Sequence, residues 1–429
     1  MTATYKQIVV PITIFILGYI AEYTMNLVMA RFLGVVAYGD FSVAFYMVRL
    51  TAIVILLGNY LSAIKFIPAY VQRKHWGLIK GFLYYHSRIL LMMSLFVLAL
   101  ITLYYVFSFF SIHHYLKLPT LDRPVFLMLL FAPLLAINIF ISSLLASFKQ
   151  PTWSSITARL MFPVFLLMGL ILWSYLFDGI ALINALMLLG MSLIVTVALQ
   201  FYILFQSMPR IINSTKAEFA SNDWSNALMP LFISSLLFTI SNQINLYMLE
   251  ILHPTEHAVG YFATILVIIS VLWLPRHGAA LVYNQNIGAL VATEDWPALQ
   301  RLAKQAARKL TLIMLFILGI IAIFATHILA MFGKGFVTVE WPLILTAMGC
   351  SIRSMFLFAD PILKYAGFHR KNVFPQAMTL SLNIILNIIL VPIYGVLGVA
   401  WSLFISRFTL VIWQWYLAKK LLNINVFCL

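Results

Sequence analysis

Two arginines, Arg49 and Arg276, stand inside long, otherwise apolar stretches of this chain. If those stretches cross a membrane, each charge costs ~2.5–3.5 kcal/mol at the bilayer centre and must turn toward a cavity or a partner. A guanidinium keeps its charge at physiological pH and offers forked donors that suit phosphate oxygens. Both arginines are therefore candidate anion contacts. Each also has a plainer reading. Arg49 could pair with Glu22 and merely tie two helices together, and Arg276 could sit at the cytoplasmic rim, positioned by Pro275.

Other polar residues gather near them at helical spacing. Tyr19, Glu22, Tyr23 and Asn26 fall three and four apart, which puts them on one stripe, and Ser42, Tyr46 and Arg49 repeat the pattern. Ser235, Thr239 and Asn242 share a face, with Gln243 and Asn245 close by; Arg276, His277, Tyr283 and Asn284 form a fourth group. The candidate cavity set is Arg49, Arg276, Glu22, Asn26, Tyr46, Asn242, His277 and Asn284. His277 reads as a hydrogen-bonded spacer before a proton relay. Arg353 and Asp360, seven apart, are expected on one helix face as a structural ion pair, with Arg407 in the same network. Asn383 and Asn387, four apart, are expected to hydrogen-bond between helices.

The elements that must carry these groups follow from composition. The chain has 429 residues, 63% hydrophobic and 9% charged, against about 25% charged in soluble domains. Apolar runs span 8–30, 41–66, 82–110, 124–147, 155–177, 180–207, 227–251, 259–291, 310–332, 340–363, 374–393 and 396–418. Each is about the length that crosses ~30 Å of hydrocarbon as a helix. An all-α membrane protein of about twelve transmembrane helices is expected, with a break near Pro275 in the eighth run. The first run follows Lys6, exceeds a signal-peptide core and is read as a retained helix.

The net charge of +15 would suggest nucleic acid in a soluble chain. Here its placement gives a different reason. Arg73, Lys74, Lys80, Lys149, Arg210, Lys216, Arg301, Lys304, Arg308, Lys309, Arg370 and Lys371 fall in one alternate set of loops. Lys6, Lys419 and Lys420 join them, while the opposite set holds Arg31, Lys117, Arg123, Lys334 and little else. Both termini are expected in the cytoplasm, and no nucleic-acid partner is expected. Segments Met208–Ala227 and Ala292–Lys309 look like amphipathic surface helices; in the second, Leu299, Leu302, Ala303 and Ala306 share a face. Cys350 and Cys428 supply neither a disulfide framework nor metal-ligand spacing, and no Gly-rich nucleotide loop occurs.

The halves echo each other. Pro11 and Pro230 (230 − 11 = 219), Asn26 and Asn245 (245 − 26 = 219), and Tyr175 and Tyr394 (394 − 175 = 219) share one offset, and Gly39 and Gly260 differ from it by two. The expected organisation is a six-helix lobe at 1–207, an amphipathic cytoplasmic linker at 208–226 and a second six-helix lobe at 227–429. Parallel repeats of this kind are expected to be pseudo-symmetric about a central cavity.

Several motifs carry a resemblance to a known family. Ala30-Arg31-Phe32-Leu33-Gly34-Val35-Val36-Ala37-Tyr38-Gly39-Asp40-Phe41 resembles the turn between the first two helices of O-antigen flippases, and His257-Ala258-Val259-Gly260-Tyr261-Phe262-Ala263 echoes it. Phe332-Gly333-Lys334-Gly335-Phe336 and the Asn383 to Ala400 stretch add to the likeness. The chain thus resembles the polysaccharide-exporter (Wzx-like) branch of the multidrug/oligosaccharidyl-lipid/polysaccharide (MOP) exporter superfamily, which also holds the MATE antiporters. The resemblance implies a non-enzymatic flippase of a bacterial inner membrane. Its cargo would be an isoprenoid-diphosphate-linked repeat unit of O-antigen, capsule or exopolysaccharide, moved by alternating access.

The resemblance also implies membrane lipids as surroundings and a polysaccharide polymerase and chain-length regulator as partners. No cofactor or metal is expected, and coupling to H+ or Na+ stays open. A cation-coupled MATE-type antiporter is the alternative, with Glu22 as its membrane carboxylate. A membrane-embedded glycosyltransferase or polymerase fits less well, because the external loops are short and lack paired acids.

Overall fold

The computed structural model describes residues 2–109, 123–148, 150–177, 179–253, 255 and 257–425. Lys117, Lys149 and Cys428 lie outside them, as does the side chain of Asn284. The described residues are mostly helical, and no strand occurs among them. Eleven of their helices are long and apolar enough to cross a membrane. The chain is an all-α, multi-pass membrane protein.

The first helix, α1 (Thr2–Leu56), accounts for the twelfth expected span. A straight helix of its 55 residues would run about 80 Å, more than twice the hydrocarbon thickness. It breaks instead at Gly34, whose φ of 74° and ψ of 179° suit only a residue without a Cβ. The segment before the break, residues 2–33, matches α10 (Ser221–Leu252) end for end at the offset of 219, since 2 + 219 = 221 and 33 + 219 = 252.

Between them lie α2 (Asn59–Gln72), α3 (Trp76–Phe109), α4 (Arg123–Leu129), α5 (Ala132–Ser147), α6 (Pro151–Ser155), a π-helical turn (Ile156–Met161), α7 (Phe162–Leu176), α8 (Leu182–Ser207) and the short α9 (Ile211–Ser214). After α10 come α11 (Ala258–Ile269), α12 (Trp273–Ala292), α13 (Trp296–Phe332), α14 (Glu340–Met355), α15 (Ala359–Tyr365), α16 (His369–Tyr394) and α17 (Val396–Leu422). A 3-10 turn at Ser270–Leu272 separates α11 from α12. It sits just before Pro275, where the missing N–H and the ring clash disfavour a regular α-turn.

The chain divides into two compact units, Met1–Gln243 and Ile244–Leu429. The division falls within α10, beyond the 208–226 linker expected from sequence. Packing explains why. Trp224 is fully buried, donates its indole N–H to Tyr70 Oη at 3.0 Å and meets Phe82 edge-on. The α10 backbone also presses on Gly58, where a Cβ would lie 2.7 Å from Leu228 O. The start of α10 therefore belongs with α2 and α3.

Polar clasps hold each unit at depths where water is absent. In the first, buried Gln200 of α8 donates to Ser142 Oγ at 2.9 Å and to Asn138 O at 3.3 Å on α5. In the second, Asn387 of α16 donates to Asn245 of α10 at 2.9 Å, the interhelical bond expected of it, while its bond to Asn383 at 3.2 Å stays within α16. Such bonds average about 0.6 kcal/mol in membranes.

Neither expected surface helix forms as such. Residues 215–220 are extended and strapped onto α3: Glu218 N–H donates to Gly77 O, Lys80 Nζ donates to Thr215 O, and the Glu218 backbone occupies the space a Cβ on Gly81 would need. In the other segment the predicted face is present, but it belongs to α13, whose 37 residues run on into the membrane. Asp295 caps its start by accepting from Ala298 N–H. No proline follows Pro297 before Phe332 to stop it. Leu299, Ala303 and Ala306 are buried against Ile287, Phe358, Ile362 and Ala418 rather than presented to lipid.

Candidate functional site

The Gly34 fold-back returns the second part of α1 alongside the first. Tyr38, fully buried, donates to Asn26 Oδ1 at 3.1 Å, and Asn26 Nδ2 donates to Glu22 O at 2.8 Å. Ser42 Oγ donates to Tyr38 O on the next turn. Asn26, expected as a cavity contact, therefore has its amide engaged in holding the hairpin. The clasp lines up Glu22 on one arm with Tyr46 and Arg49 on the other.

Glu22 and Arg49 are exposed within this unit and Tyr46 is half-buried. Glu22 and Arg49 are not within ion-pair distance, so the simple helix tie does not form. Instead both charges act on Tyr19 and Tyr46, and Arg49 also acts on Tyr60 of α2. Ser235, of the third polar stripe on α10, donates to Phe232 O on its own helix.

A second cation completes it. Arg159 lies in the π-helical turn, a feature that often marks function. Its guanidinium sits over the Phe15 ring at 4.1 Å and the Tyr19 ring at 5.6 Å. A Cβ on Gly18 would lie 3.0 Å from Arg159 Cβ, so the α1 backbone comes close enough to seat the arginine. Arg159 is the only charge in the 155–177 apolar run, and that is the signal sequence reasoning passed over.

The remaining candidates scatter. Asn242 is half-buried and donates to Phe238 O on its own helix. In the second unit, Arg276 is half-buried in the first turn of α12, directly after Pro275. His277 Nδ1 lies 2.8 Å from Trp273 O and the ring stacks on Trp273. Tyr283 meets Phe358 edge-on and serves packing.

The Arg353–Asp360 pair does not form. Seven residues return to one face only on an unbroken helix, and α14 ends at Met355 with Phe356 at φ −127°. Past the break Asp360 turns to other partners: Lys364 Nζ at 2.8 Å, Asn372 Nδ2 at 2.6 Å, Gln376 Nε2 at 3.2 Å and Gln414 Nε2 at 3.4 Å. Arg407 makes no ion pair with Asp360 either.

The first unit thus assembles Arg49, Arg159, one carboxylate, Tyr19 and Tyr46 inside apolar spans, with Tyr60 on α2. Two guanidiniums outweigh Glu22, and the tyrosine hydroxyls add neutral donors. In a medium of low dielectric this arrangement favours an oxyanion over a cation. Among the described residues no group of three His, Cys, Asp or Glu could hold a metal ion.

Residues 5–282 match the family described as "Polysaccharide biosynthesis protein". The chain belongs to this family. A search of curated proteins finds no match. Among solved structures, an inward-facing multidrug resistance MATE family transporter of the MOP superfamily aligns with a TM-score of 0.77 at 14% identity, covering 95% of this chain and 94% of that one. The lipid II flippase MurJ, inward closed, aligns with a TM-score of 0.69 at 15% identity, covering 95% and 87%. A MOP superfamily transporter from Pyrococcus furiosus aligns with a TM-score of 0.66 at 14% identity, covering 97% and 96%. At these identities the likeness is one of fold. The family match includes Arg49, Arg159 and Arg276 and stops before Arg353 and Arg407.

Proposed function

We propose that this polysaccharide biosynthesis family member is a flippase. It would carry an isoprenoid-diphosphate-linked oligosaccharide, the repeat unit of an O-antigen, capsule or exopolysaccharide, across a bacterial inner membrane with both termini in the cytoplasm. The observation that carries this reading is the Arg49–Arg159 cluster at membrane depth in the family-matched part of the chain. Guanidiniums would grip the diphosphate while tyrosines border the sugar, and the isoprenoid would remain in lipid. Alternating access would expose this group to one membrane face and then the other. Arg276 is proposed as a further phosphate contact.

Glu22, the carboxylate of this cluster, is the group through which H+ or Na+ coupling would act. A polysaccharide polymerase and a chain-length regulator would receive the product. In a strain lacking the gene, Arg49→Ala or Arg276→Ala should fail to restore surface polysaccharide while the protein is made at normal levels. Full restoration by both variants would remove the diphosphate grip.

The fold shared with MATE transporters supports a second reading, a cation-coupled drug antiporter using Glu22. Two arginines beside that carboxylate weigh against a cationic cargo. Drug-sensitivity profiling of the deletion strain separates the two, because the flippase reading leaves drug tolerance unchanged.

A further inference from the structure

A second pair of arginines lies outside the site just described. On α14 a Cβ at Gly349 would stand 3.0 Å from Phe404 Cα and 3.4 Å from Leu403 Cδ2 of α17. Beyond the end of α14, Gln414 Nε2 of α17 reaches Asp360 Oδ1 at the start of α15. Later residues on one side thus meet later residues on the other, so α14 and α17 run parallel. Arg353 and Arg407 each lie one turn beyond the close approach at Gly349 and Leu403 on their own unbroken helices, which places them at about the same level. Arg407 is the charged group acting most strongly on Arg353, ahead of Asp360.

Two like charges side by side at membrane depth repel and lose hydration, so each needs a counter-charge. Among the described residues Asp360 is the one acid that acts on Arg353, and it makes an ion pair with neither arginine. Both arginines are half-buried, and neither makes a hydrogen bond or ion pair with a described residue. Asp360, the nearest acid, has its oxygens engaged by Lys364, Asn372, Gln376 and Gln414. On the same turn the Ser354 hydroxyl is buried without a hydrogen-bond partner.

We propose that Arg353 and Arg407 form an oxyanion site in the second unit, separate from the Arg49–Arg159 cluster, which binds a phosphate or diphosphate group. Parallel guanidiniums on neighbouring helices can each direct two N–H donors at one such group, the geometry that makes arginine–phosphate contacts strong. A phospholipid head group and a free phosphoanion offer the same chemistry.

The test is thermal unfolding of the full chain in neutral detergent, titrated with inorganic pyrophosphate and, separately, with micelles containing phosphatidylglycerol or phosphatidylcholine. Pyrophosphate should raise the Tm of the parent chain. Replacing both residues (Arg353→Gln with Arg407→Gln) should raise the half-saturating concentration about tenfold or more. The corresponding double lysine variant should retain part of the response. A response to phosphatidylglycerol alone, lost in the glutamine variant, assigns the site to a lipid head group and upholds the proposal. Should the double variant not fold, Arg407→Gln alone is titrated, and the same shift is expected at smaller size. The proposal is overturned if no anion raises the Tm, or if the glutamine variants change the baseline Tm but respond like the parent chain.

Discussion

The two units each place a pair of arginines at membrane depth and treat them in opposite ways. In the first, Arg159 lies on the faces of Phe15 and Tyr19, and Arg49 sits among tyrosines within range of Glu22. Ring quadrupoles and phenol dipoles spread the positive charge without neutralising it, which leaves donors for a cargo that must also leave. In the second, Arg353 and Arg407 stand level on parallel helices with no ring contact or ion pair among the described residues. A cation clothed by its own fold suits transient binding, whereas an unclothed pair suits an occupant that stays.

The strongest way to break this contrast is to remove a charge from the first pair. Arg49→Ala should abolish transport measured as surface polysaccharide, because neutral donors cannot replace a fixed charge in a low dielectric. Arg159→Lys should lower transport less. It keeps the charge but loses the flat guanidinium that covers Phe15. Equal and full transport by both variants would leave the first pair with only a structural role.

Next in size come the glycines that set each pair's surroundings. Gly58 has φ of +83°, and a Cβ there would meet the α10 backbone at 2.7 and 2.9 Å. Gly58→Ala should cost about 1–2 kcal/mol for the left-handed backbone and about 1–3 kcal/mol for overpacking, seen as a lower Tm and poorer yield. Gly349 is helical, and its one tight contact is Phe404 Cα at 3.0 Å. Gly349→Ala should therefore cost about 1 kcal/mol, with its main effect on the anion response of the neighbouring arginines. A larger loss at Gly349 than at Gly58 would reverse the ranking of the two close approaches.

How much of this was legible beforehand depended on whether the signal was local. Every apolar run contains helix, and the 219 offset drawn from Pro11, Asn26 and Tyr175 reappears in the matching ends of residues 2–33 and α10. The Gly34 turn lay within the motif that carried the family resemblance. Face arithmetic failed where a helix breaks with neither proline nor glycine, as at Phe356, and that failure hid the true partners of Asp360. It failed in the opposite sense at α13, where a charged, loop-like stretch continues an apolar helix. Arg159 was missed because its meaning comes from Phe15 and Tyr19, far away in sequence. The Arg353–Arg407 level needed two interhelical contacts to define it. Pairwise relations between distant helices have no local sequence signature.

The smallest expected effect is also the sharpest, because it differs in sign between the units. Arg159→Gln should destabilise the protein in neutral detergent without added anion. It forfeits cation–π contacts with two rings, about 1–2 kcal/mol where water is excluded, and leaves a gap against Gly18. Arg407→Gln under the same conditions should do the reverse. It lifts a like-charge repulsion that no ion pair among the described residues offsets and keeps a chain of similar shape, so the Tm should rise. Adding pyrophosphate should then stabilise the parent chain more than Arg407→Gln at the same concentration. If Arg407→Gln lowers the Tm in the absence of anion by as much as Arg159→Gln does, the second pair is held by the protein itself and the contrast between the units disappears.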